Sequence, residues 1–258
     1  MPSIFGWGRN RKSAPSSSIP EGVRVYAVGD IHGCAELLRI LIDKILADIE
    51  RHKDCTARVI FVGDYIDRGL HSKGVIDTVL ELENSGVMVE FLMGNHEDML
   101  IQFLQNPDIG AHWFSVGGLA TVMSYGLPSA GMGVGRERNH KICETLQSAI
   151  PPAHRDFFDR LALSTIIGDY MFVHAGIRPG VALERQQRED IISIRNDFIQ
   201  SSNRHPKMIV HGHSVQLNSG VYPNRICIDT GAYITHRLTC VVLQGTAVDF
   251  IAAERSRP

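Results

Sequence analysis

Acidic, amide and imidazole side chains recur in this chain directly after short apolar runs. They occur in five glycine-containing segments: Gly29-Asp30-Ile31-His32-Gly33, Gly63-Asp64-Tyr65-Ile66-Asp67-Arg68-Gly69, Gly94-Asn95-His96-Glu97, His174-Ala175-Gly176 and Gly212-His213-Ser214. Carboxylate, amide and imidazole groups together suit divalent ions such as Mn, Fe or Zn. Glycines before four of these polar residues are expected to let the backbone turn sharply from strand to loop. The segments therefore predict a metal site assembled from distant parts of the chain.

The spacing of these residues allows two neighbouring cation sites. Asp30 and His32 lie two positions apart, so both can face one point from an extended turn. Asp64 follows a different apolar run, and its two oxygens can bridge two cations. One amide oxygen and two imidazoles would complete the second site, and these belong to Asn95, His174 and His213. A single aspartate at a strand end is more often an ordinary turn residue, but the five segments together favour metal binding.

Five apolar runs precede these segments and read as buried strands, because they are short and rich in β-branched or aromatic residues. They lie at residues 25–28, 59–62, 87–93, 170–173 and 208–210. Functional sites of open α/β sheets lie at the carboxyl ends of strands, so the polar segments are expected to meet there. Amphipathic spacing predicts helices at residues 37–49, 75–82, 99–104, 151–161 and 189–199. Three further strands are predicted at residues 225–228, 238–243 and 248–251.

The bulk composition argues against several other classes of protein. The chain has 258 residues, of which 44% are hydrophobic and 21% are charged, as in an ordinary globular protein. The formal net charge of −2 gives no basis for binding nucleic acid. No apolar run reaches the ~20 residues of a membrane span. The five cysteines form no CxxC pair, which predicts free thiols and a cytoplasmic location.

The chain is expected to consist of a tail and one domain. Residues 1–20 are predicted to form a flexible tail, because they are rich in serine and basic residues. Residues 21–258 are predicted to form a single domain. Within it, residues 106–150 combine many glycines with short patterns, which predicts a cap or insertion that shapes access to the site.

Taken in order, the five polar segments resemble the signature motifs of the phosphoprotein phosphatase branch of the calcineurin-like metallophosphoesterases. The resemblance runs from about residue 23 to about residue 243 and points to the small bacterial and phage-type serine/threonine phosphatases. It implies an α/β fold with four layers, α-β-β-α, in which two mixed sheets pack together and helices lie outside. It also implies two divalent metal ions as cofactors, with Mn²⁺ expected in vitro and Fe or Zn as alternatives.

The resemblance implies a ligand role for residues that match the family motifs. The ligands are Asp30, His32 and Asp64 for one metal, and Asp64, Asn95, His174 and His213 for the other. His213 is chosen over His211 because the family ligand follows a glycine in a Gly-His pair. His211 is then expected to support the ligand from the end of its strand.

Phosphoryl transfer requires a rigid cationic group near the phosphoryl oxygens, which arginine supplies better than lysine. Arg68 is the first candidate, and Arg195 resembles the family's second phosphate-binding arginine. The alternative for Arg195 is an ion pair with Asp190 or Asp197. Asn95 is also expected to contact the phosphate.

A general acid must protonate the departing oxygen on the side opposite the nucleophile, which is expected to be a hydroxide bridging the two metals. His96, next to Asn95, is expected to be this acid. Asp67 is expected to orient it and to stabilise its charge. Glu97 is expected to support the loop or to begin a helix, because acids favour helix N-termini.

The motifs favour a phosphomonoesterase, and in particular a protein serine/threonine phosphatase that also accepts phosphotyrosine. The alternative is a symmetrical diadenosine tetraphosphate hydrolase. Those enzymes tend to carry alanine before the arginine of the second motif and aspartate after the histidine of the third, whereas this chain has Asp67-Arg68 and His96-Glu97. A non-catalytic phosphate-binding scaffold is the alternative from another class, but all the key positions are present.

The expected partner is therefore a phosphoprotein or a small phosphoester substrate, with no nucleic acid and no membrane. The C-terminal segments of the larger eukaryotic-type phosphatases are absent from the sequence. Their absence predicts that the protein has no dedicated regulatory subunit.

Overall fold

The strands form two five-stranded sheets in the computed structural model, which describes residues 17–128 and 135–255. The first sheet has the order β10 (Ala247–Glu254), β9 (Arg237–Gln244), β1 (Val23–Val28), β2 (Thr56–Phe61) and β3 (Met88–Phe91). The second has the order β4 (Ser164–Ile167), β5 (Tyr170–Val173), β6 (Met208–His211), β8 (Arg225–Cys227) and β7 (Gly220–Val221). Both sheets are mixed, since each contains parallel and antiparallel pairs.

The helices connect and cover these strands. In chain order they are α1 (Ala35–Arg51), α2 (Ser72–Asn84), α3 (Asn95–Gln105), α4 (Gly110–Ser115), α5 (Gly118–Ser124), α6 (Gly135–Ala149), α7 (Pro152–Asp159), α8 (Arg188–Ser193), α9 (Asn196–Ile199) and α10 (Ala232–Thr235). Two short 3₁₀ turns lie at Pro107–Ile109 and Leu183–Arg185. None of the helices in the described ranges has the length and hydropathy needed to cross a lipid bilayer.

Three apolar clusters show how the layers pack. One lies between the first sheet and helices α1, α2, α3 and α7. The second lies between the two sheets and includes Val25 and Ile60 from one and Phe172 and Val210 from the other. The third packs α8 and α9 on the outer face of the second sheet, with Phe198 at its centre. The predicted α-β-β-α sandwich with two mixed sheets is therefore confirmed.

The topology brings the predicted polar segments to one edge. Strands β1, β2 and β3 are parallel to one another, as are β5 and β6, so within each sheet their carboxyl ends face the same way. Backbone bonds then join the loops: the N–H of Ile31 donates to the carbonyl of Asp64 at 3.0 Å, and that of Gly212 to His174 at 2.8 Å. Backbone hydrogen bonds thus hold the loops that carry the polar segments next to one another.

Most predicted elements are confirmed, but two helices differ in detail. In α1, Leu46 is exposed although it continues the apolar spacing that predicted the helix, and Asp48 is buried instead. Asp48 accepts hydrogen bonds from Arg24 and from the hydroxyl of Tyr26, at 2.8 Å each, which explains how a carboxylate can face the sheet. The single helix predicted over residues 189–199 is wrong. It is two helices, α8 and α9, separated by an extended residue at position 194.

The outer parts of the chain also differ from the expectation. Ser18 and Ile19 belong to the predicted tail, yet Ile19 is buried and its N–H donates to the carbonyl of Gly245 at 2.8 Å. The described residues of the insertion, 106–128 and 135–150, are mostly helical: α4 and α6 pack against α3, and α5 packs against α2 and α4. Residues 1–16 of the tail and residues 129–134 of the insertion lie outside the described residues. All five cysteines are free thiols, as predicted.

Candidate metal centre and active site

Five predicted site residues share an uncommon backbone conformation. They have positive φ angles and are His32 (46°), Asp64 (53°), Asp67 (72°), Arg68 (65°) and His213 (62°). Few residues other than glycine adopt this left-handed region, and strained backbone of this kind clusters at functional sites. The backbone therefore turns sharply at the strand ends, where the side chains of the site project.

The carboxylate of Asp64 lies at the centre of the site. Its Oδ2 is 3.4 Å from Nε2 of His32 and 3.4 Å from Nε2 of His174. Its Oδ1 accepts the backbone N–H of His96 at 3.1 Å. Oδ2 is therefore the oxygen that faces both histidines, whereas Oδ1 lies toward the start of α3.

The second group of predicted ligands collects around His174. Nε2 of His174 is 3.2 Å from Oδ1 of Asn95 and 3.2 Å from Nδ1 of His213. Asp64, His174 and His213 together form one buried set of atoms close enough to hold an ion, and His32, Asp64 and His96 form another. Asp64 belongs to both sets, which is the relationship expected of a bridging ligand.

Backbone carbonyls orient the imidazoles of the site. Nδ1 of His32 lies 2.9 Å from the carbonyl of Ile66, and Nδ1 of His174 lies 3.0 Å from the carbonyl of Val62. Donation to a carbonyl fixes the tautomer and leaves the Nε2 lone pair available, which is the usual arrangement of metal-binding histidines. Nε2 of His213 is buried and has no hydrogen-bond partner among the described residues.

Asp30 is placed by the loop that carries His213. Both oxygens of Asp30 accept the backbone N–H of His213, at 3.2 and 3.0 Å. Burial and the neighbouring charge of Asp229 raise the pKa of Asp30 well above its ordinary value. The residue thus lies beside the histidine cluster as a carboxylate that lacks a cationic side-chain partner in the described structure, and a cation there would stabilise its charged form.

Two glycines of the motifs are required by close approach. A Cβ at position 94 would lie 2.1 Å from Oδ1 of Asp64, and one at position 212 would lie 2.0 Å from Oδ1 of Asp30. The sequence predicted these glycines from backbone turning, but neither has a positive φ; of the four glycines that directly precede a predicted ligand, Gly63 alone does, at 107°. Glycines at 94 and 212 therefore make room for carboxylates.

The buried charges favour a bound cation. Besides Asp30, burial and the charge of Asp64 raise the pKa of Glu97 to about 7, and burial raises that of Asp229 to about 6. Burial opposes ionisation of Asp64 as well, but the neighbouring charges of His174 and His96 hold its pKa well below the ordinary value. The carboxyls of Asp30 and Asp64, with the imidazoles beside them, fit divalent ions by charge and by donor type.

Glu97 and His211 lie outside the two histidine and aspartate sets. The carboxylate of Glu97 accepts four backbone N–H groups, from Asp64 (2.9 Å), Tyr65 (2.9 Å), Ile66 (3.2 Å) and Gly94 (3.0 Å). It therefore ties the second motif to the start of α3. The ring of His211 packs edge-on against Phe198, at 5.1 Å between centroids. The structure thus brings His213, and not His211, into the set with Asp64 and His174.

His96 and Asp67 form a close pair. Nδ1 of His96 lies 2.6 Å from Oδ2 of Asp67, and both side chains are buried. Burial lowers the pKa of His96, but the charge of Asp64 and the hydrogen bond to Asp67 outweigh it, so the pKa stands above its ordinary value. Trp113 and Thr121 also donate to Asp67, at 2.8 and 2.6 Å.

Trp113 and Thr121 were not predicted as site residues. They lie 46 and 54 positions from Asp67, so no local spacing links them to the second motif. The one feature of the sequence that pointed to these residues was the predicted insertion that contains them. The sequence predicted that this insertion shapes access to the site, not that it contacts the second motif. Tyr233 was also missed: its ring lies 4.7 Å from the guanidinium carbon of Arg68.

Arg68 lies at the half-buried mouth of the site. Its Nη1 is 2.8 Å from Nε2 of His32, and its Nη2 is 3.1 Å from Nε2 of His96. The guanidinium therefore spans the predicted metal ligand and the predicted acid, which suits a group that binds the oxygens of a phosphoryl group between them.

Arg195 lies between α8 and α9 with its side chain exposed. The alternative ion pairs predicted for it are made by another arginine, since Arg178 pairs with Asp190 at 2.6 Å and with Asp197 at 3.1 Å. Burial, the charge of His174 and that of Arg195 are among the influences that lower the pKa of His213 to about 2. Arg195 is thus close enough to the site for its charge to act on His213.

The sequence profile of the calcineurin-like phosphoesterase family matches residues 23–251. This chain belongs to that family. Its members are metal-dependent hydrolases, which agrees with the two histidine and aspartate sets around Asp64.

Curated relatives of the chain carry dinucleotide hydrolase names. The symmetrical bis(5′-nucleosyl)-tetraphosphatase of Nitrosospira multiformis is 28% identical over 167 residues, which are 63% of this chain and 47% of that protein. The asymmetrical bis(5′-nucleosyl)-tetraphosphatase PrpE of Anoxybacillus flavithermus is 26% identical over 236 residues, 83% of this chain and 88% of that protein. The match spans about half of the first relative and most of the second.

Solved structures with a similar fold have more varied names. A putative diadenosine tetraphosphatase has a TM-score of 0.60 at 17% identity, with 94% of this chain and 100% of that chain covered. The cold-active protein-tyrosine phosphatase of a psychrophilic Shewanella has a TM-score of 0.56 at 17% identity, with 93% and 83% covered. These likenesses concern the fold alone.

Proposed function

We propose that this protein is a phosphohydrolase that holds two divalent ions around Asp64. The ligands would be Asp30, His32, Asp64, Asn95, His174 and His213. Bound there, the ions would lower the pKa of water and polarise the phosphoryl oxygens. The observation that carries the proposal is that Nε2 of His32 and Nε2 of His174 approach the same oxygen of Asp64, each at 3.4 Å.

The remaining side chains would bind the phosphoryl group and supply a proton. Arg68 would bind the phosphoryl oxygens from the mouth of the site, with Arg195 as a second cation and Asn95 as a further contact. His96 would protonate the departing oxygen from Nε2, because its Nδ1 faces Asp67. Asp67 would hold the imidazole and stabilise its charged form.

The first substrate class that we infer is the dinucleoside tetraphosphates. The names of the curated relatives support it, including one that matches most of this chain. The relatives include symmetrical and asymmetrical hydrolases, so the position of cleavage is a separate question. Phosphoanhydride cleavage would use the metal ligands and the arginines in the roles given above.

A phosphoprotein is the second candidate substrate, and the pair formed by His96 and Asp67 favours it. A nucleotide leaves an anhydride as a weakly basic phosphate, whereas serine and threonine leave as strongly basic alkoxides that require a proton. A buried acid held at 2.6 Å by a carboxylate is most useful for the second kind of leaving group. The sequence pairs Asp67-Arg68 and His96-Glu97 point in the same direction.

One panel of substrates separates these candidates. Protein reconstituted with Mn²⁺ would be assayed with diadenosine tetraphosphate, a phosphoserine peptide, a phosphotyrosine peptide and p-nitrophenyl phosphate. The Asp64→Asn variant, purified in parallel, controls for contaminating phosphatases. Preference for the dinucleotide supports the first substrate class, and preference for the phosphoserine peptide supports the second. Failure to hydrolyse any of the four would refute the proposed phosphohydrolase.

A further inference from the structure

Two side chains of the helical insertion contact Asp67 directly. Nε1 of Trp113, in α4, donates to Oδ2 at 2.8 Å. The Trp113 ring is fully buried and lies 4.9 Å from the ring of Phe103, and a Cβ at position 118 would lie 2.5 Å from it. Because the ring is enclosed on these sides, its N–H has a fixed direction toward the carboxylate.

Thr121, in α5, contacts both the backbone and the side chain of Asp67. Its Oγ1 donates to Oδ1 at 2.6 Å and accepts the N–H of Asp67 at 2.9 Å. Each oxygen of Asp67 therefore has a donor from the insertion, and His96 is held at Oδ2 beside the indole. The carboxylate cannot rotate without losing these hydrogen bonds. Losing one would leave a buried polar group unpaired, which costs free energy.

The same insertion also holds the backbone of the neighbouring arginine. The carbonyl of Gly117 accepts the N–H of Arg68 at 3.2 Å. Asp67 and Arg68 both have left-handed φ angles, 72° and 65°. Such conformations persist when surrounding structure fixes them, and here the surrounding structure is the insertion.

We propose that Trp113 and Thr121 are positioning residues, which fix Asp67 and, through it, the imidazole of His96 for protonation of the leaving oxygen. The inference rests on the proposed function and deepens it. The insertion is then a structural part of the proton-donating site, in addition to any effect on access. A merely packed insertion would stabilise the fold but would leave the dependence on the leaving group unchanged.

Variants that each remove one donor to Asp67 test this role. Trp113→Phe and Thr121→Val each remove one donor to Asp67, and Tyr125→Phe is the matched control, because it removes a buried hydroxyl of the same insertion that bonds His154 instead. We expect kcat for an alkyl phosphate to fall about tenfold in the first two variants, a fraction of the 10²- to 10⁴-fold worth of an acid, and to change by about twofold or less with p-nitrophenyl phosphate. Thr121→Ser should restore the rate.

A spectroscopic measurement tests the contact without relying on activity. The chain has two tryptophans, so Trp113→Phe assigns the indole N–H resonances. We expect the Trp113 proton to resonate downfield, as a donor to a carboxylate, and to move upfield in Asp67→Asn. A Trp113 resonance that does not respond to Asp67→Asn would overturn the contact and the proposal with it.

The activity results separate this inference from the proposed function. If the wild type hydrolyses phosphoesters but Trp113→Phe and Thr121→Val retain the leaving-group profile of Tyr125→Phe, the positioning role is wrong and the proposed function stands. If the wild type hydrolyses no member of the panel, the proposed function is wrong. The positioning role is then wrong as well, because there is no leaving group for His96 to protonate.

Discussion

The carboxylate of Asp64 holds the backbone N–H of His96 through Oδ1, at 3.1 Å. The residue expected to contact both metals therefore also fixes the first turn of α3, which carries the expected acid. Its other oxygen faces His32 and His174, one from each sheet. Metal binding and the position of the acid thus depend on the same side chain.

We expect Asp64→Asn to lose both metal ions. The amide keeps the shape of the side chain but removes the negative charge that faces both histidine sets, so neither ion would be held tightly. Metal content after desalting checks this result. Asp48→Asn is the control, because Asp48 is also a buried aspartate but pairs with Arg24 of β1. Retention of two tightly bound ions by Asp64→Asn would contradict the bridging role.

We expect His96→Asn to lower kcat most for substrates with poor leaving groups. A positioned acid contributes roughly 10²- to 10⁴-fold, and this contribution is needed when the departing oxygen is strongly basic. Rates with a phosphoserine peptide and with p-nitrophenyl phosphate provide the comparison. His154→Asn controls for the loss of a buried histidine, since His154 bonds Asp77 at 2.9 Å in the insertion's neighbourhood. Equal losses on both substrates would exclude an acid role.

We expect Arg195→Ala to weaken binding of the phosphoryl group with a smaller effect on metal content. A hydrogen bond to a charged group is worth about 1.5–3 kcal/mol, so the inhibition constant of inorganic phosphate should rise about tenfold or more. Arg185→Ala is the control, because Arg185 is another exposed arginine nearby in the chain. An unchanged inhibition constant would show that Arg195 does not bind the phosphoryl group.

Local spacing predicted the strands and the five polar segments, because buried runs and motif residues are short-range features. It could not predict that Trp113 reaches Asp67, since that contact depends on how the insertion folds back. It also extended one helix across position 194, because Ile191, Ile194 and Phe198 are all buried and keep the apolar pattern through the break. Periodicity reports which side chains are buried, not whether the backbone between them is continuous.

We expect the thermal midpoint of EDTA-treated protein to fall as the pH rises from about 6.5 to 9. The charge of Asp64 outweighs burial and raises the pKa of His174 from 6.5 to about 9, which spans this range. Burial and the charge of Asp64 raise the pKa of Glu97 from 4.5 to about 7, so its contribution is lost mostly at lower pH. A group whose pKa is raised by folding stabilises the fold below its unfolded pKa and loses this contribution as the pH rises through the folded value. Two proposed metal ligands, His32 and His213, have lowered pKa values, so they change the stability below about pH 6.5 instead.

Divalent metal should abolish this decline. A cation bound between the buried carboxylates takes over the charge neutralisation that protons provide, and a ligand present at 100 times its Kd adds about 2.7 kcal/mol to the free energy of unfolding. Differential scanning fluorimetry across this pH range, with EDTA and with excess Mn²⁺, checks both parts. The same slope under both conditions would mean that His174 does not bind the ion, because protons and metal would then not compete for its imidazole.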